Sequence, residues 1–570
     1  MKKLPIGLQT LSKISEGGYV YADKTKYVYD LAQDEGAYFL SRPRRFGKSL
    51  LLSTFEALFS GPPDPDGPPQ GHFKDLWIGR ESDYDFNRTH PIISLSMSSS
   101  TNSSDALQES ILKKLKKIND SEKLGLDITL PGTDLPFVIQ ALKEKYNEKV
   151  VVLIDEYDAP VSNNIDNPGL ALKNRDILRD FYSGFKDTDK FLRFVFVTGV
   201  TRYVFMGLSA GLNQLYDLTL DEKFSNICGF THDELDGCFA EYLPGTLQEL
   251  KRKNVLAPNA TVSDLRRKIL DWYDGYSWDG ETMVLNPFSL INLFRSSKFT
   301  PFWMNQDPSA KLLTALLAKN PFAFTGDKLR ELTEKEVGAA EVGTMEPVPT
   351  LFQTGYLTID KITYATNGSP LYHLRLPNEE IKPEFIGKFA NALKKYFKKG
   401  PEAKKDSFRD IVEYGDAVKL TELINSIYAS IPARHHRPVE SYYHSVLFGY
   451  LYDMPGTAIT LPEQPGSIGT PDLVIIFDDG LHVVVELKYE KRMESVPEEK
   501  TLLGAKRQKK REPTETEITE LLNKLAKEAL NAIGTKRYLR PYLARARQVM
   551  TIGLGIYARG RSLALMGSDE

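Results

Sequence analysis

Up to about residue 230, short β-branched and aromatic runs alternate with stretches in which apolar residues return every three or four positions. The runs are Tyr38-Phe39-Leu40, Pro91 to Leu95, Val150 to Ile154 and Phe194 to Val197. Continuous apolar strands alternating with helices predict βαβ units, that is, a parallel sheet covered by helices on both faces. The Pro- and Gly-rich stretch from Gly61 to Gly71 lacks amide donors and forbids helix, so a surface loop is expected after the helix that ends near Phe59.

From about 231 to 300 the period becomes helical, over Asp233 to Tyr242 and Val262 to Tyr273, and breaks at Tyr273-Asp274-Gly275-Tyr276-Ser277-Trp278. Residues 350 to 377 alternate apolar and polar positions, which predicts a small antiparallel unit. A basic helix over Lys388 to Lys399 leads into Gly400-Pro401, a linker signal. From about 405 the pattern is helical. Two strands follow, Pro471 to Phe477 and His482 to Leu487, joined by the hairpin signal Asp478-Asp479-Gly480, and then helices again. The expected organisation is an α/β domain over 1–230, a helical and small β region over 231–400, and a second α/β domain over 401–570.

Composition narrows the function classes. The chain has 570 residues, 41% hydrophobic and 26% charged, enough for more than one core and unlike a disordered or fibrous chain. With 73 Lys+Arg against 76 Asp+Glu the net charge is -3, so attraction to nucleic acid must come from a local patch. Two cysteines, Cys228 and Cys238, are too few for a disulfide framework or a zinc cluster, and a reducing cytoplasm is the expected compartment. Neither a secretion signal nor a membrane span is expected, because polar residues interrupt every apolar stretch well short of the ~20 residues a span needs. Oligomer formation is left open.

The first chemistry-bearing stretch is Ser41-Arg42-Pro43-Arg44-Arg45-Phe46-Gly47-Lys48-Ser49, between a strand and the apolar helix from Leu50. Gly47 lets backbone amides approach an anion, Lys48 can reach β- and γ-phosphates, Ser49 can ligate Mg²⁺, and the helix N-terminus faces the charge. Arg45, Phe46, Gly47, Lys48, Ser49 and Leu50 are the expected ATP contacts. Arg42 occupies the first glycine position of G-x-x-x-x-G-K-[ST], so an ordinary basic strand-to-helix turn is the competing reading. About a hundred residues later the strand Val150 to Ile154 ends in Asp155 and Glu156, as a Walker B strand does. Asp155 would hold Mg²⁺ and Glu156 would activate the attacking water. A third strand ends at Thr198-Gly199-Val200-Thr201-Arg202, placing Thr198, Thr201 or Arg202 to sense a γ-phosphate at the carboxyl edge of the sheet.

Together with Tyr21-Ala22-Asp23-Lys24-Thr25, Asp155-Glu156-Tyr157-Asp158 and Tyr273-Asp274-Gly275-Tyr276, the R-P-R-R-F-G-K-S stretch resembles the AAA-ATPase-like family of large prokaryotic proteins over about residues 5 to 300. The resemblance implies a P-loop ATPase in which Arg42 is the regular residue, and commonly a nuclease-like C-terminal domain.

The second stretch fits that implication. Asp472 precedes one strand of the hairpin, and Glu486 and Lys488, two apart, share a face of the other. Two carboxylates and a lysine can hold Mg²⁺ and polarise water for phosphodiester cleavage, although a salt-bridged hairpin face has the same signature. The pattern Pro471-Asp472, then Glu486-x-Lys488, resembles the PD-(D/E)XK nuclease superfamily. By that resemblance Glu440, opening an apolar helix, is a further metal ligand and Glu463 a weaker candidate. Ala532 stands where such proteins carry a Gln, while Tyr538 is kept. The basic run Lys500 to Arg511, and secondarily Lys394, Lys395, Lys398 and Lys399, could contact DNA or RNA. His435 and His436, and the aromatics Tyr273, Tyr276, Trp278 and Trp303, read as exposed and packing residues respectively. Two functions follow: an ATPase whose nucleotide state controls a metal-dependent nuclease, or a non-cleaving nucleotide switch with an inactive nuclease fold.

Overall fold

The computed structural model describes residues 1–64, 68–98, 103–164, 167–186, 188–202, 215–304, 313–317, 331–338, 347–396, 406–429, 440–451, 457–462, 471–490, 514–535, 546–557 and 561–569. The chain divides into two compact units, Met1–Leu316 with Lys328–Phe385, and Leu317–Asp327 with Ile386–Glu570. Among the described residues no helix is long and apolar enough to cross a membrane.

The first unit is built on β1 (Gly36–Ser41), β2 (Ile92–Ser96), β3 (Val150–Asp155), β4 (Leu192–Gly199) and β5 (Leu215–Asp217). They form one parallel sheet in the order β2-β3-β4-β1-β5, as the apolar runs predict. Strand β4 therefore lies between the strand that leads into the phosphate-loop candidate and the strand that ends in Asp155. The period-two geometry of β4 separates two cores. Phe194 and Phe196 face helix Lys48–Ser60, with ring centroids 4.9 and 4.8 Å from Phe55. Val195 and Val197 face a cluster with Leu107, Ile111, Leu135, Ile139, Leu178 and Phe181 from helices Ser104–Ser121, Pro131–Tyr146 and Pro168–Ser183. Helix Lys48–Ser60 buries Leu51, Leu52, Phe55, Leu58 and Phe59, the spacing of one helical face. Each such side chain removed from water contributes about 1.5–3 kcal/mol.

The remainder of this unit packs a second helical cluster around Leu235, Leu250, Leu265, Ile269, Leu290 and Phe294. Helix Val262–Tyr273 has the predicted bounds and starts with a Thr261–Asp264 capping box. The predicted helix over Asp233 to Tyr242 is instead two pieces, His232–Cys238 and a 3₁₀ turn Ala240–Tyr242, broken at Phe239, and a further helix, Leu243–Arg252, follows directly. The alternating stretch from 350 begins as helix Pro347–Thr354. Only then come β6 (Thr358–Tyr364) and β7 (Pro370–Arg375), paired antiparallel.

The second unit holds β8 (Thr457–Pro462), β9 (Leu473–Phe477), β10 (Leu481–Glu490), β11 (Gln548–Tyr557) and β12 (Arg561–Asp569) in the order β12-β11-β10-β9-β8. The β9–β10 hairpin turns at Gly480, whose φ of 85° requires glycine. Strands β10 and β11 are parallel, so their connection must cross over, and helix Glu515–Thr535 makes that crossing. β11 and β12 replace the terminal helices expected from the sequence. β11 is buried along nearly its whole length, and a continuous apolar run carries no alternation to distinguish it from a buried helix. Helices Asp406–Glu413, Ala417–Ala429 and Glu440–Leu451 cover the other face of the sheet.

Candidate functional site

Strand β1 ends at Ser41, and the chain reaches helix Lys48–Ser60 in six residues. Gly47 is the N-cap at φ 98°, with no side-chain cap on the first amides. A Cβ at Gly47 would meet nothing within 4 Å, so the space beside the N-cap is open. That arrangement leaves helix-terminal donors and the dipole available to an anion. Lys48 is buried, and its Nζ donates to the carbonyls of Arg42 and Pro43 at 2.9 Å each. Burial lowers its pKa, opposed by the Asp155 carboxylate.

Arg42 does not face this opening. Its guanidinium is fully buried, donates to the carbonyls of Ser41 (2.8 Å), Thr219 (3.0 Å) and Phe224 (3.1 Å), and stacks 4.0 Å from the Trp278 ring centroid. Burial pulls its pKa down to about 10. The residue at the first glycine position is thus a bracket beneath the loop rather than a phosphate contact. Phe46 packs edge-on against Tyr276 and Trp278, and the Trp303 Nε1 donates to the Arg44 carbonyl at 3.0 Å. Tyr273, Tyr276, Trp278 and Trp303 are all buried.

Asp155 and Glu156 stand at the carboxyl end of β3. Asp155 Oδ1 accepts from the Thr198 hydroxyl at 2.7 Å and from the Glu156 amide at 2.9 Å. Glu156 has φ 51°, a left-handed conformation that costs a non-glycine residue about 1–2 kcal/mol. Burial raises its carboxyl pKa, and Asp155 raises it further. Asp158, part of the Asp155-Glu156-Tyr157-Asp158 stretch but given no role by the sequence, accepts from the amides of Val200 and Thr201 and from the Thr201 hydroxyl, joining the ends of β3 and β4.

The loop residues, Glu156 and Asp158 line a cavity of about 550 Å³, within the range of small-ligand sites, while Asp155 and Thr198 are absent from its described lining. Its lining includes Arg44, Arg45, Gly47, Lys48, Ser49, Leu50 and Glu156 on the polar side, and Ile6, Leu8, Val20, Phe288 and Ile291 on the apolar side. Arg202 is absent from the described lining. Its guanidinium is paired with Asp217, and its amide donates to Gln353 Oε1 at 3.0 Å.

The AAA-ATPase-like family model, described as a predicted AAA-ATPase, matches residues 5–209. Over 500 residues the chain is 34% identical to "Uncharacterized protein in vnfD 5'region" of Azotobacter chroococcum mcd 1, covering 85% of this chain and 90% of that protein. The chain belongs to the AAA-ATPase-like family. Among solved structures it is similar to a signal transduction ATPase with numerous domains, carrying a tetratricopeptide repeat sensor, from Pyrococcus horikoshii. That likeness is 10% identical with a TM-score of 0.20, and covers 76% of this chain but only 55% of the other. Membership of the AAA-ATPase-like family supports nucleotide binding and hydrolysis.

The same AAA-ATPase-like chain places the second constellation on β10. The β9–β10 register ends at Leu473 with Val485, which leaves Asp472 abreast of Glu486. Glu486 is buried, and Lys488 Nζ lies 3.9 Å from its Oε1. Asp472 Oδ2 accepts from the Leu487 amide at 2.6 Å, and Glu440 Oε2 from the Tyr489 amide at 2.9 Å. Where β9 stops, these two carboxylates continue the ladder along β10. Among the described residues no three His, Cys, Asp or Glu side chains gather as a metal site, so Glu440, Asp472 and Glu486 are not brought into one such group. Glu463, Lys500 to Arg511, Lys398, Lys399, His435, His436 and Tyr538 lie outside the described residues, as do the side chains of Lys394 and Lys395.

Proposed function

We propose that the first unit binds ATP with Mg²⁺ and hydrolyses it. The observation that carries this reading is the meeting of Gly47, Lys48, Ser49 and Glu156 on one cavity that also has an apolar wall. The donor chemistry fits: uncapped helix-terminal amides and a buried ammonium suit phosphates, and the Ser49 hydroxyl with the Asp155 carboxylate are hard oxygen ligands suited to Mg²⁺. Arg45, Phe46 and Leu50 complete the cradle. Ile6, Leu8, Phe288 and Ile291 give a nucleobase an apolar enclosure. Ser49 and Asp155 would hold Mg²⁺, which would supply neutralising charge to the phosphates. Thr198 holds the Asp155 carboxylate, and Glu156, whose pKa burial raises, takes the proton from the attacking water. Titration calorimetry with MgATP tests this: Lys48→Ala abolishes binding, and unchanged affinity in that variant would refute the reading.

A second reading concerns the other unit, as a metal-dependent nuclease-like domain controlled by nucleotide. Asp472 abreast of Glu486, with Lys488 on the same strand face, favours it. The ladder role of Asp472 and Glu440 and the Ala532 position favour the alternative, a non-cleaving switch. Plasmid cleavage by the full chain in Mg²⁺ decides: loss of cutting in Asp472→Ala and Glu486→Ala supports the nuclease, and equal cutting by both variants removes it.

A further inference from the structure

Four arginines lie in or beside the strand ends that frame the cavity, and the structure gives them different work. Arg42 is spent beneath the loop on backbone carbonyls. Arg202 is paired with Asp217. Arg45 lies with its guanidinium 5.2 Å from the centroid of the Phe288 ring, on the apolar wall. Arg44 lines the cavity too, and its guanidinium is bonded not to a distant wall but to Asn163, a residue that lines the same cavity.

Arg44 is also held at both ends. Its Nη2 donates to Asn163 Oδ1 at 2.7 Å, and Asn163, just past the short helix Ala159–Ser162 that follows Glu156, lines the same cavity. Its carbonyl accepts from Trp303 Nε1, and the Trp303 amide donates at 2.7 Å to Glu380 Oε1. A guanidinium on the phosphate loop, oriented by a residue on the segment that carries the catalytic base, has the placement of a transition-state arginine supplied by the chain itself.

We propose that Arg44 is this arginine: it binds the γ-phosphate as charge builds on its oxygens during water attack, with Asn163 and Trp303 as positioning residues. The inference rests on the ATPase reading above. In the step, the bond from the water oxygen to phosphorus forms, the bond to the ADP oxygen breaks, and the water proton passes to Glu156. Arg44 stays protonated throughout.

The test is steady-state MgATP hydrolysis by the full chain, together with the affinity for a non-hydrolysable ATP analogue. Arg44→Ala should lower kcat by about 100-fold or more, with analogue affinity within about threefold of wild type. Arg44→Lys keeps the charge but loses the fork, so it should fall between, and Asn163→Ala should lower kcat by about tenfold. Arg202→Ala should leave kcat within about threefold, and Arg45→Ala should weaken affinity more than turnover. Unchanged turnover in Arg44→Ala overturns the inference, as does a loss confined to affinity, or an equal kcat loss in Arg202→Ala. A wild-type chain that binds no ATP, or a Lys48→Ala variant that binds normally, removes the ATPase reading itself. A thermal midpoint for each variant separates these results from misfolding. If Arg44→Ala is unfolded, Arg44→Lys decides, and wild-type kcat in that variant overturns the inference.

Discussion

The Thr198 hydroxyl, at the end of β4, donates to Asp155 Oδ1 across the strand boundary at 2.7 Å, while Asp155 Oδ1 also takes the Glu156 amide. One carboxylate oxygen is therefore fixed by the fold, and the carboxylate is oriented before any ligand arrives. Thr198→Val keeps the shape but removes the donor. Turnover is expected to fall about tenfold, with its Mg²⁺ midpoint moved to higher concentration, while stability changes by only about 1 kcal/mol. A Mg²⁺ titration of ATPase rate in the variant checks this, and an unchanged midpoint would show that Thr198 does not orient the ligand.

Restoring the missing glycine is expected to harm the protein. In Arg42→Gly the carbonyls of Ser41, Thr219 and Phe224 lose their donor, and the Trp278 face loses its cation. Buried acceptors left unpaired cost about 1–3 kcal/mol each, so the variant should be destabilised by about 3 kcal/mol or more. Urea unfolding measures it. A stability equal to wild type would mean that other donors or water replace the guanidinium.

Strands β1, β3 and β4 and the loop between β1 and its helix were readable because a fully buried parallel strand is a continuous apolar run ending in polar groups. The motif's shape was readable too, but not what each arginine does, because Arg42, Arg44, Arg45 and Arg202 differ only in which distant groups receive them. Asn163 and Trp303 carry no motif, and the helical period of their surroundings says nothing about a bond to residue 44. Asp158 was visible inside Asp155-Glu156-Tyr157-Asp158, and its link to Thr201 could have been guessed only from the adjacency of β3 and β4. In the second unit, β11 was unreadable for the reason that made β3 easy to place: it lacks alternation, and no chemistry follows it to mark a strand end.

The acid limb of ATP turnover should report Glu156. Its pKa is raised mainly by burial, so the carboxylate needed to accept the water proton is lost at a pH above that of an ordinary glutamate. Activity should therefore fall on acidification earlier than an exposed carboxylate predicts. Glu156→Gln should abolish turnover while retaining analogue binding. A pH–kcat profile that keeps its acid limb in a variant with residual activity would assign that limb to another group.

Glu380 gives a stability test with the same sign logic. It is buried, with Oε1 accepting from the Ser289 hydroxyl and the Trp303 amide, and burial raises its pKa from 4.5 to about 8. The folded form holds the proton that the unfolded chain releases above about pH 4.5, so the contribution to stability is complete below that pH and declines as pH rises toward 8. Glu380→Gln preserves the acceptor and removes the titration. The urea midpoint of wild type should drop between pH 5 and 8 more steeply than that of the variant, and parallel profiles would show that Glu380 does not carry the dependence.

Gly553 offers a test of how the second constellation is supported. In the parallel register it pairs with Glu486, and Gly555 pairs with Lys488. A Cβ at Gly553 would lie 2.3 Å from the Ala526 carbonyl oxygen and 2.5 Å from the Leu530 amide nitrogen, both backbone atoms of helix Glu515–Thr535. The helix rests on the sheet only because neither glycine has a side chain, and backbone cannot turn aside as a side-chain tip can. Gly553→Ala must push the helix off β11 beside Glu486, at a cost of about 1–3 kcal/mol or more for overpacking. Gly534, in the same helix, has nothing within 4 Å of its would-be Cβ, so Gly534→Ala should be neutral or slightly stabilising. Thermal unfolding of the two variants should separate by several degrees, and equal midpoints would mean that the helix does not lie as close to β11 as the contact requires.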